Sequence, residues 1–194
     1  RGSRPNEVTY NALISACEKG RQWPRALSLL PAGLRACLEP NVVTYSAAIS
    51  ASEKAREWEL ALRVMEEMLN LGLRPNAISC GALVSACEKG QQWIRVLTLL
   101  GVMFLIGVRP ELNLCNAAIS SCEKGKQWSC AVELLDSVSC CAITEDVVSH
   151  NAAVSACEKG RRWHAALALV RGLVQRGIAA TIVTYNAAMS ACEQ

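Results

Sequence analysis

Catalytic equipment is scarce in this sequence. Only two histidines, His150 and His164, and one phenylalanine occur among 194 residues. There is no Gly-rich phosphate loop, no nucleophile elbow and no zinc signature of the nucleobase deaminases. With neither a histidine cluster nor a Cys-x-x-Cys pair, a zinc site lacks its ligands. The sequence therefore predicts no catalytic residue, no metal, no cofactor and no small-molecule substrate. Charge of one sign is missing too: the net charge is +3, and 19% of residues are charged. So mild a balance neither demands nor excludes nucleic acid, because a basic groove can be offset elsewhere on the surface. Long hydrophobic runs are absent as well. The strongly apolar uncharged run Val96 to Val108 has 13 residues, against the ~20 that span a bilayer. It is expected to be a buried helix, no membrane contact is predicted, and no targeting segment is visible.

What is plentiful is cysteine, eleven residues. The number is odd, no signal peptide accompanies it, and the positions follow a helical period, so the expectation is reduced core thiols. His150 shares a column with Tyr10 and is expected in the core. Cys140-Cys141 is a vicinal pair in an irregular stretch.

The chain repeats itself. All five tryptophans, Trp23, Trp58, Trp93, Trp128 and Trp163, are spaced by 35 residues. The same spacing aligns Val8-Thr9-Tyr10-Asn11 with Val43-Thr44-Tyr45-Ser46, Val148-Ser149-His150-Asn151 and Val183-Thr184-Tyr185-Asn186. No insertion breaks the frame. Repeats run 7–41, 42–76, 77–111, 112–146 and 147–181, with a partial sixth over 182–194. Residues Arg4-Pro5-Asn6 match Arg74-Pro75-Asn76, so 1–6 is expected to be the tail of a preceding repeat in a longer, continuous array.

Each unit reads as helix–turn–helix. The first helix is predicted over roughly Val8 to Lys19, with Gly20 as a left-handed cap. The second starts near Trp23 and is clearest from Trp58 to Leu71. Two helices cannot bury both faces alone, so neighbouring repeats must stack into an all-α solenoid. Pro31 falls inside the second helix of the first repeat and is expected to kink or end it. The apolar stretch Gly101 to Gly107 is a candidate local interface.

On a wheel with Val8 at zero and about 100° per residue, Asn11 falls near ~300°, Ser15 near ~340° and Lys19 near ~20°. Tyr10, Leu13, Ile14 and Cys17 fall on the opposite side as the core stripe. Stacking turns the first face into three rows. One is Val8, Val43, Ile78, Asn113, Val148 and Val183. The second is Asn11, Ser46, Gly81, Asn116, Asn151 and Asn186, and the third Lys19, Lys54, Lys89, Lys124 and Lys159. An amide suits a base edge, an aliphatic surface a base face, and a lysine a phosphate. One such set per repeat implies a polymer ligand with one unit per repeat, which single-stranded RNA satisfies. The plainer alternative is that Asn and Ser cap helices while the lysines form a solvated face beside Glu18, Glu53 and Glu88.

The period, the Val-Thr-Tyr-Asn opening and the Gly-Leu-Arg-Pro-Asn closing at 72–76 resemble pentatricopeptide repeat proteins of the plain class, over essentially the whole chain. The resemblance implies a right-handed superhelix with RNA on the face lined by first helices, one nucleotide per repeat. It implies that base choice is set by the Asn11 column together with the last residue of the same repeat. The Val8 column would sandwich bases, and the Lys19 column would approach phosphates. Carried over, Asn11 with Asn41 implies cytosine, Ser46 with Asn76 adenine, and Asn116 with Asp146 uracil. Asn151 with Thr181 implies a pyrimidine. Gly81 with Glu111 departs from the family's usual pairs, and Asn186 has no visible partner. The implied target is 5′-C-A-N-U-Y-Y-3′. Asn113 departs from the aliphatic row, and Gln194 stands where a lysine is expected. The resemblance also implies a chloroplast or mitochondrial role in RNA processing, stability or translation, with other proteins as partners through flanking repeats. The alternative is a protein-interaction scaffold using the same face.

Overall fold

The computed structural model describes residues 7–20, 22–35, 40–105, 107–140 and 146–193. Arg4-Pro5-Asn6, Gln194 and Cys141 lie outside these residues, as does the side chain of Cys140. Among the described residues all regular structure is helical. The elements are α1 (Glu7–Lys19), α2 (Trp23–Arg35), α3 (Val42–Ala55), α4 (Trp58–Asn70), α5 (Ala77–Lys89), α6 (Trp93–Leu105), α7 (Leu112–Lys124), α8 (Trp128–Cys140), α9 (Val147–Lys159), α10 (Trp163–Gln175) and α11 (Ile182–Cys192). None is long and apolar enough to cross a membrane. The chain divides into two compact units, Arg1–Gly90 and Gln91–Gln194.

In the first unit, α1, α3 and α5 stack on one another, α2 packs against α1 and α3, and α4 against α3 and α5. In the second, α7, α9 and α11 stack, with α8 and α10 each bridging two of them and α6 against α7. The stripe read from the wheel supplies the core: Tyr45, Ala48, Ile49 and Ser52 on α3, and Cys115, Ala118, Ile119 and Cys122 on α7, are all buried. Fully burying a side chain the size of Ile or Leu contributes about 1.5–3 kcal/mol. On α1, however, Leu13 is exposed, since α2 and α3 are the described elements packed on that helix. His150 is buried, its Nδ1 lying 3.2 Å from the Asp146 carbonyl oxygen. Burial pushes the Cys122 thiol up to about 12 and the Cys157 thiol up to about 11, so both remain protonated, and they are unpaired thiols.

Two local expectations are corrected. Pro31 does not end α2, which runs to Arg35 and is 13 residues long, like α4, α6, α8 and α10. A regular helix would pair the Gly33 N–H with the Leu29 carbonyl. Here the Tyr10 hydroxyl accepts from Gly33 N (3.0 Å) and donates to Leu29 O. A proline and a side chain set into the ladder are both features that kink a helix without ending it.

The glycine column is the second correction. Gly90, Gly125 and Gly160 have φ of −82°, −78° and −83°, so none is a left-handed cap. The left-handed residue is the next one: Gln91, Lys126 and Arg161, with φ of 58°, 56° and 55°. At three positions glycine serves another purpose. A Cβ at Gly90 would stand 2.3 Å from Trp58 Cδ1, at Gly125 2.5 Å from Trp93 Cδ1, and at Gly160 2.7 Å from Trp128 Cδ1. Trp58, Trp93 and Trp128 each seat the indole where the glycine of the following repeat has no side chain, while the second repeat carries Ala55 in this column.

The apolar stretch of α6 leaves Ile94, Val102, Phe104 and Leu105 exposed. Leu100, Phe104, Pro110, Leu134 and Val138 line a shallow apolar hollow beside it.

Candidate nucleic-acid interface

The last residue of a repeat is the N-cap of the next first helix. The Asn41 Oδ1 accepts from the N–H groups of Val43 (3.0 Å) and Thr44 (3.1 Å), while the Thr44 Oγ1 accepts from Asn41 N (3.1 Å). Asn76 forms the same box with Ser79, and Thr181 with Thr184. The Asp146 carboxylate accepts from Ser149 N at 2.8 Å. Glu111, before α7, makes no side-chain cap. Such caps contribute typically ~1 kcal/mol, so this column has a structural role whatever it binds.

The Asn11 column sits beside these caps. The Asn116 Nδ2 lies 3.2 Å from Asp146 Oδ2, and the Asn151 Nδ2 3.3 Å from Thr181 Oγ1. Ser46 is buried, its hydroxyl 2.7 Å from Val42 O and 3.4 Å from Asn76 Oδ1. Asn186 is exposed on α11. A Cβ added at Gly81 would meet open space. Gly81 belongs to the first unit and Glu111 to the second, so each is described only within its own unit.

A contributor that the wheel missed is the hydroxyl at the third position of the following helix. Thr44 Oγ1 donates to Asn11 Oδ1 (2.5 Å), Thr184 Oγ1 to Asn151 Oδ1 (2.5 Å), and Ser149 Oγ to Asn116 Oδ1. The signal was present in the sequence as the column Thr44, Ser79, Leu114, Ser149, Thr184, hydroxylic except at Leu114. That exception follows Gly81 and Glu111 of the third repeat, so the departures at Gly81, Glu111 and Leu114 come in succession.

The aliphatic row faces solvent beside the amides. Val8, Val43 and Ile78 in the first unit, and Val148 and Val183 in the second, are between 57% and 74% exposed. Burying them against a base face would remove apolar area from water. Asn113 is likewise exposed.

The lysine row differs from a set of bare ammonium groups. Lys54 pairs with Glu18 (2.8 Å), Lys89 with Glu53 (2.6 Å) and Lys159 with Glu123 (2.8 Å), each reaching back one repeat. The serines of the Ser15 column join in, Ser85 donating to Glu53 and Ser155 to Glu123, and Ser190 donates to Glu158. Lys19 and Lys124 are exposed at the ends of α1 and α7. Among the described residues no group of three His, Cys, Asp or Glu could hold a metal ion.

Desolvation pushes the Asp146 carboxyl upward. Hydrogen bonds from the Ser149 N–H and hydroxyl, the Asn116 amide and the Val148 N–H outweigh it, and the net pKa lies below the ordinary 3.8. A depressed folded value stabilises above the unfolded pKa and is lost as pH falls through the folded one. Wild type should therefore melt higher than Asp146→Asn at pH 6. That advantage should shrink as pH falls below about 3.8, read by circular dichroism melts along a pH series; a gap that does not narrow in the acid range contradicts the assignment.

Three family models match the chain: the PPR repeat family over residues 40–89, the pentatricopeptide repeat domain over 133–194 and the PPR repeat over 8–30. Together they cover more than half of it. No curated protein matches. Among solved structures, the pentatricopeptide repeat protein PPR10 from maize is 25% identical, with a TM-score of 0.71 over 96% of this chain and 27% of that one. The same protein in complex with an 18-nt psaJ RNA element gives 20% identity and 0.72, over 98% of this chain and 26% of that one. The PPR domain of Arabidopsis thaliana protein-only RNase P 1, in complex with tRNA, gives 11% identity and 0.80, over 97% and 99%. The chain thus spans about a quarter of the maize protein. The likeness shows the fold, an all-α superhelical repeat solenoid, and with the family models it settles the family: the chain belongs to the pentatricopeptide repeat proteins.

Proposed function

We propose that this array binds single-stranded RNA sequence-selectively, one nucleotide per repeat, and acts by occupancy rather than chemistry. The carrying observation is a solvent-facing row at a fixed 35-residue period, aliphatic except at Asn113, that runs beside a row carrying an amide at Asn11, Asn116, Asn151 and Asn186. Aliphatic faces sandwich bases, and an amide addresses a base edge. Support comes from relatives seen with an 18-nt RNA element and with tRNA. In this reading Asn11 with Asn41, Ser46 with Asn76, Asn116 with Asp146 and Asn151 with Thr181 select bases, toward 5′-C-A-N-U-Y-Y-3′. Gly81 with Glu111 leaves its base open, and Asn186 reads the sixth. Lys19, Lys54, Lys89, Lys124 and Lys159 meet phosphates. The setting is an organelle, chloroplast or mitochondrion, where a bound solenoid shields or remodels a transcript.

The test is equilibrium binding of labelled C-A-A-U-C-U RNA against a scrambled oligomer and the same sequence as DNA. Wild type should prefer the matched RNA, and Asn116→Thr should move the preference at the fourth base from uracil toward guanine. Equal binding to all oligomers would leave a nonspecific polyanion surface. No binding at low salt would place the alternative first, a protein scaffold, for which the exposed Ile94, Val102, Phe104 and Leu105 speak.

A further inference from the structure

We infer that the hydroxyl at the third position of each following first helix (Thr44, Ser149, Thr184) is a specificity-positioning residue, locking the base-facing amide one repeat earlier as a hydrogen-bond donor. The inference rests on the proposal that the Asn11 column addresses bases. It concerns how that column is oriented.

The argument is one of valence. A threonine hydroxyl has one proton to give. The Thr184 Oγ1 accepts from Thr181 N–H (3.0 Å), and of the two acceptors within its reach, Asn151 Oδ1 at 2.5 Å and Thr181 Oγ1 at 3.1 Å, the nearer takes its proton. On the other side the Asn151 Nδ2 donates to Thr181 Oγ1 at 3.3 Å. The amide oxygen is thus turned toward the Thr184 hydroxyl, one N–H is used on the cap, and one N–H is left for a ligand. Asn11 is held alike: Thr44 Oγ1 accepts from Asn41 N–H (3.1 Å) and donates to Asn11 Oδ1 (2.5 Å). At Asn116 the Asp146 carboxylate can only accept, so it faces Nδ2 (3.2 Å) and fixes the amide by itself; the Ser149 hydroxyl lies against both Asn116 Oδ1 and Asp146 Oδ1 (2.8 Å), with one proton between them. A reader fixed this way favours a base edge that offers an acceptor. A reader free to turn by half a rotation offers either group and discriminates less.

The three sites then differ in a way that can be measured. At Asn151 the cap is Thr181, whose hydroxyl can accept or donate, so the amide orientation depends on Thr184. At Asn116 the carboxylate holds the amide even without Ser149. The experiment titrates wild type, Thr184→Val, Thr184→Ser and Ser149→Ala with four RNAs differing only at the fifth base and four differing only at the fourth. Thr184→Val should lose roughly tenfold of its fifth-base discrimination, the scale of one mispaired polar group. It should keep its fourth-base preference, and Thr184→Ser should restore the fifth. Ser149→Ala should keep most of its fourth-base preference.

Fifth-base discrimination by Thr184→Val equal to wild type overturns the inference, and so does an equal loss at both positions, which a merely structural role would give. Absence of any base preference in wild type overturns the proposed function itself, and the lock with it. Should Thr184→Val be unfolded at the assay temperature, Thr44→Val asks the same question of Asn11 and the first base.

Discussion

Gly125→Ala should destabilise the protein by about 2 kcal/mol, the scale of forcing an extra methyl into a filled site. The added Cβ would stand 2.5 Å from Trp93 Cδ1 and 2.8 Å from its Cγ. Those atoms are the root of the indole, not a pliable tip, so the ring must leave its seat between helices. For a chain of this length that corresponds to a fall of roughly 4–8 °C in melting temperature. The control has the opposite sign. Gly172 lies within α10, and a Cβ there meets nothing within 4 Å. Gly172→Ala should stabilise by about 0.5–1 kcal/mol through helix propensity and unfolded-state entropy. Differential scanning calorimetry on both variants decides it. Equal and small shifts would mean that the indole yields freely. A cycle with Trp93→Leu locates the cause, because the cost of Gly125→Ala should shrink once the ring is gone.

Neutralising the glutamate ladder should strengthen RNA binding and steepen its salt dependence. In Glu18, Glu53 and Glu123 the carboxylates sit beside Lys54, Lys89 and Lys159 at 2.6–2.8 Å. A phosphate arriving at such a lysine meets a pair of no net charge, with the carboxylate repelling it. Exposed ion pairs are themselves worth only ~0–1 kcal/mol, so the pair can open, but little counterion release accompanies the exchange. Glutamine keeps an acceptor for Ser85 and Ser155 and removes the charge. Each lysine freed this way should add ~0.7 to the slope of log K against log salt on a single strand. The triple variant E18Q/E53Q/E123Q should therefore be steeper by roughly 2, with tighter binding at low salt. Fluorescence anisotropy across a salt series measures both. An unchanged slope would show that RNA does not pass over this row.

Why some features were readable from sequence and others not follows from how many helices each involves. The period, the helix bounds and the core stripe of Tyr45, Ala48, Ile49 and Ser52 depend on one helix repeated, and one wheel holds them. Every miss is a contact between helices. The glycine column looked like a cap because Gly closes helices, whereas its partner is a tryptophan 32 residues earlier, as with Trp93 and Gly125. Lysine looked free because its glutamate is 36 residues back, as with Lys54 and Glu18. Pro31 was expected to kink or end α2, and the Tyr10 hydroxyl set into that helix comes from the other helix of the hairpin. Thr44 had no role on the wheel, and its hydroxyl reaches Asn11, 33 positions away.

That last spacing bears on how such arrays change over generations. The amide proposed to face the ligand and the hydroxyl bonded to it are encoded in neighbouring copies, 33 residues apart. Unequal crossing-over between out-of-phase copies lengthens or shortens the gene by multiples of 35 codons. It rewrites only the seam where the cut falls, so every other amide keeps the hydroxyl it was inherited with. A single-codon insertion anywhere in those 33 residues would instead separate an amide from its lock. Selection for letter-by-letter recognition would thus show itself as intolerance of length change inside the seam, alongside free gain and loss of whole copies.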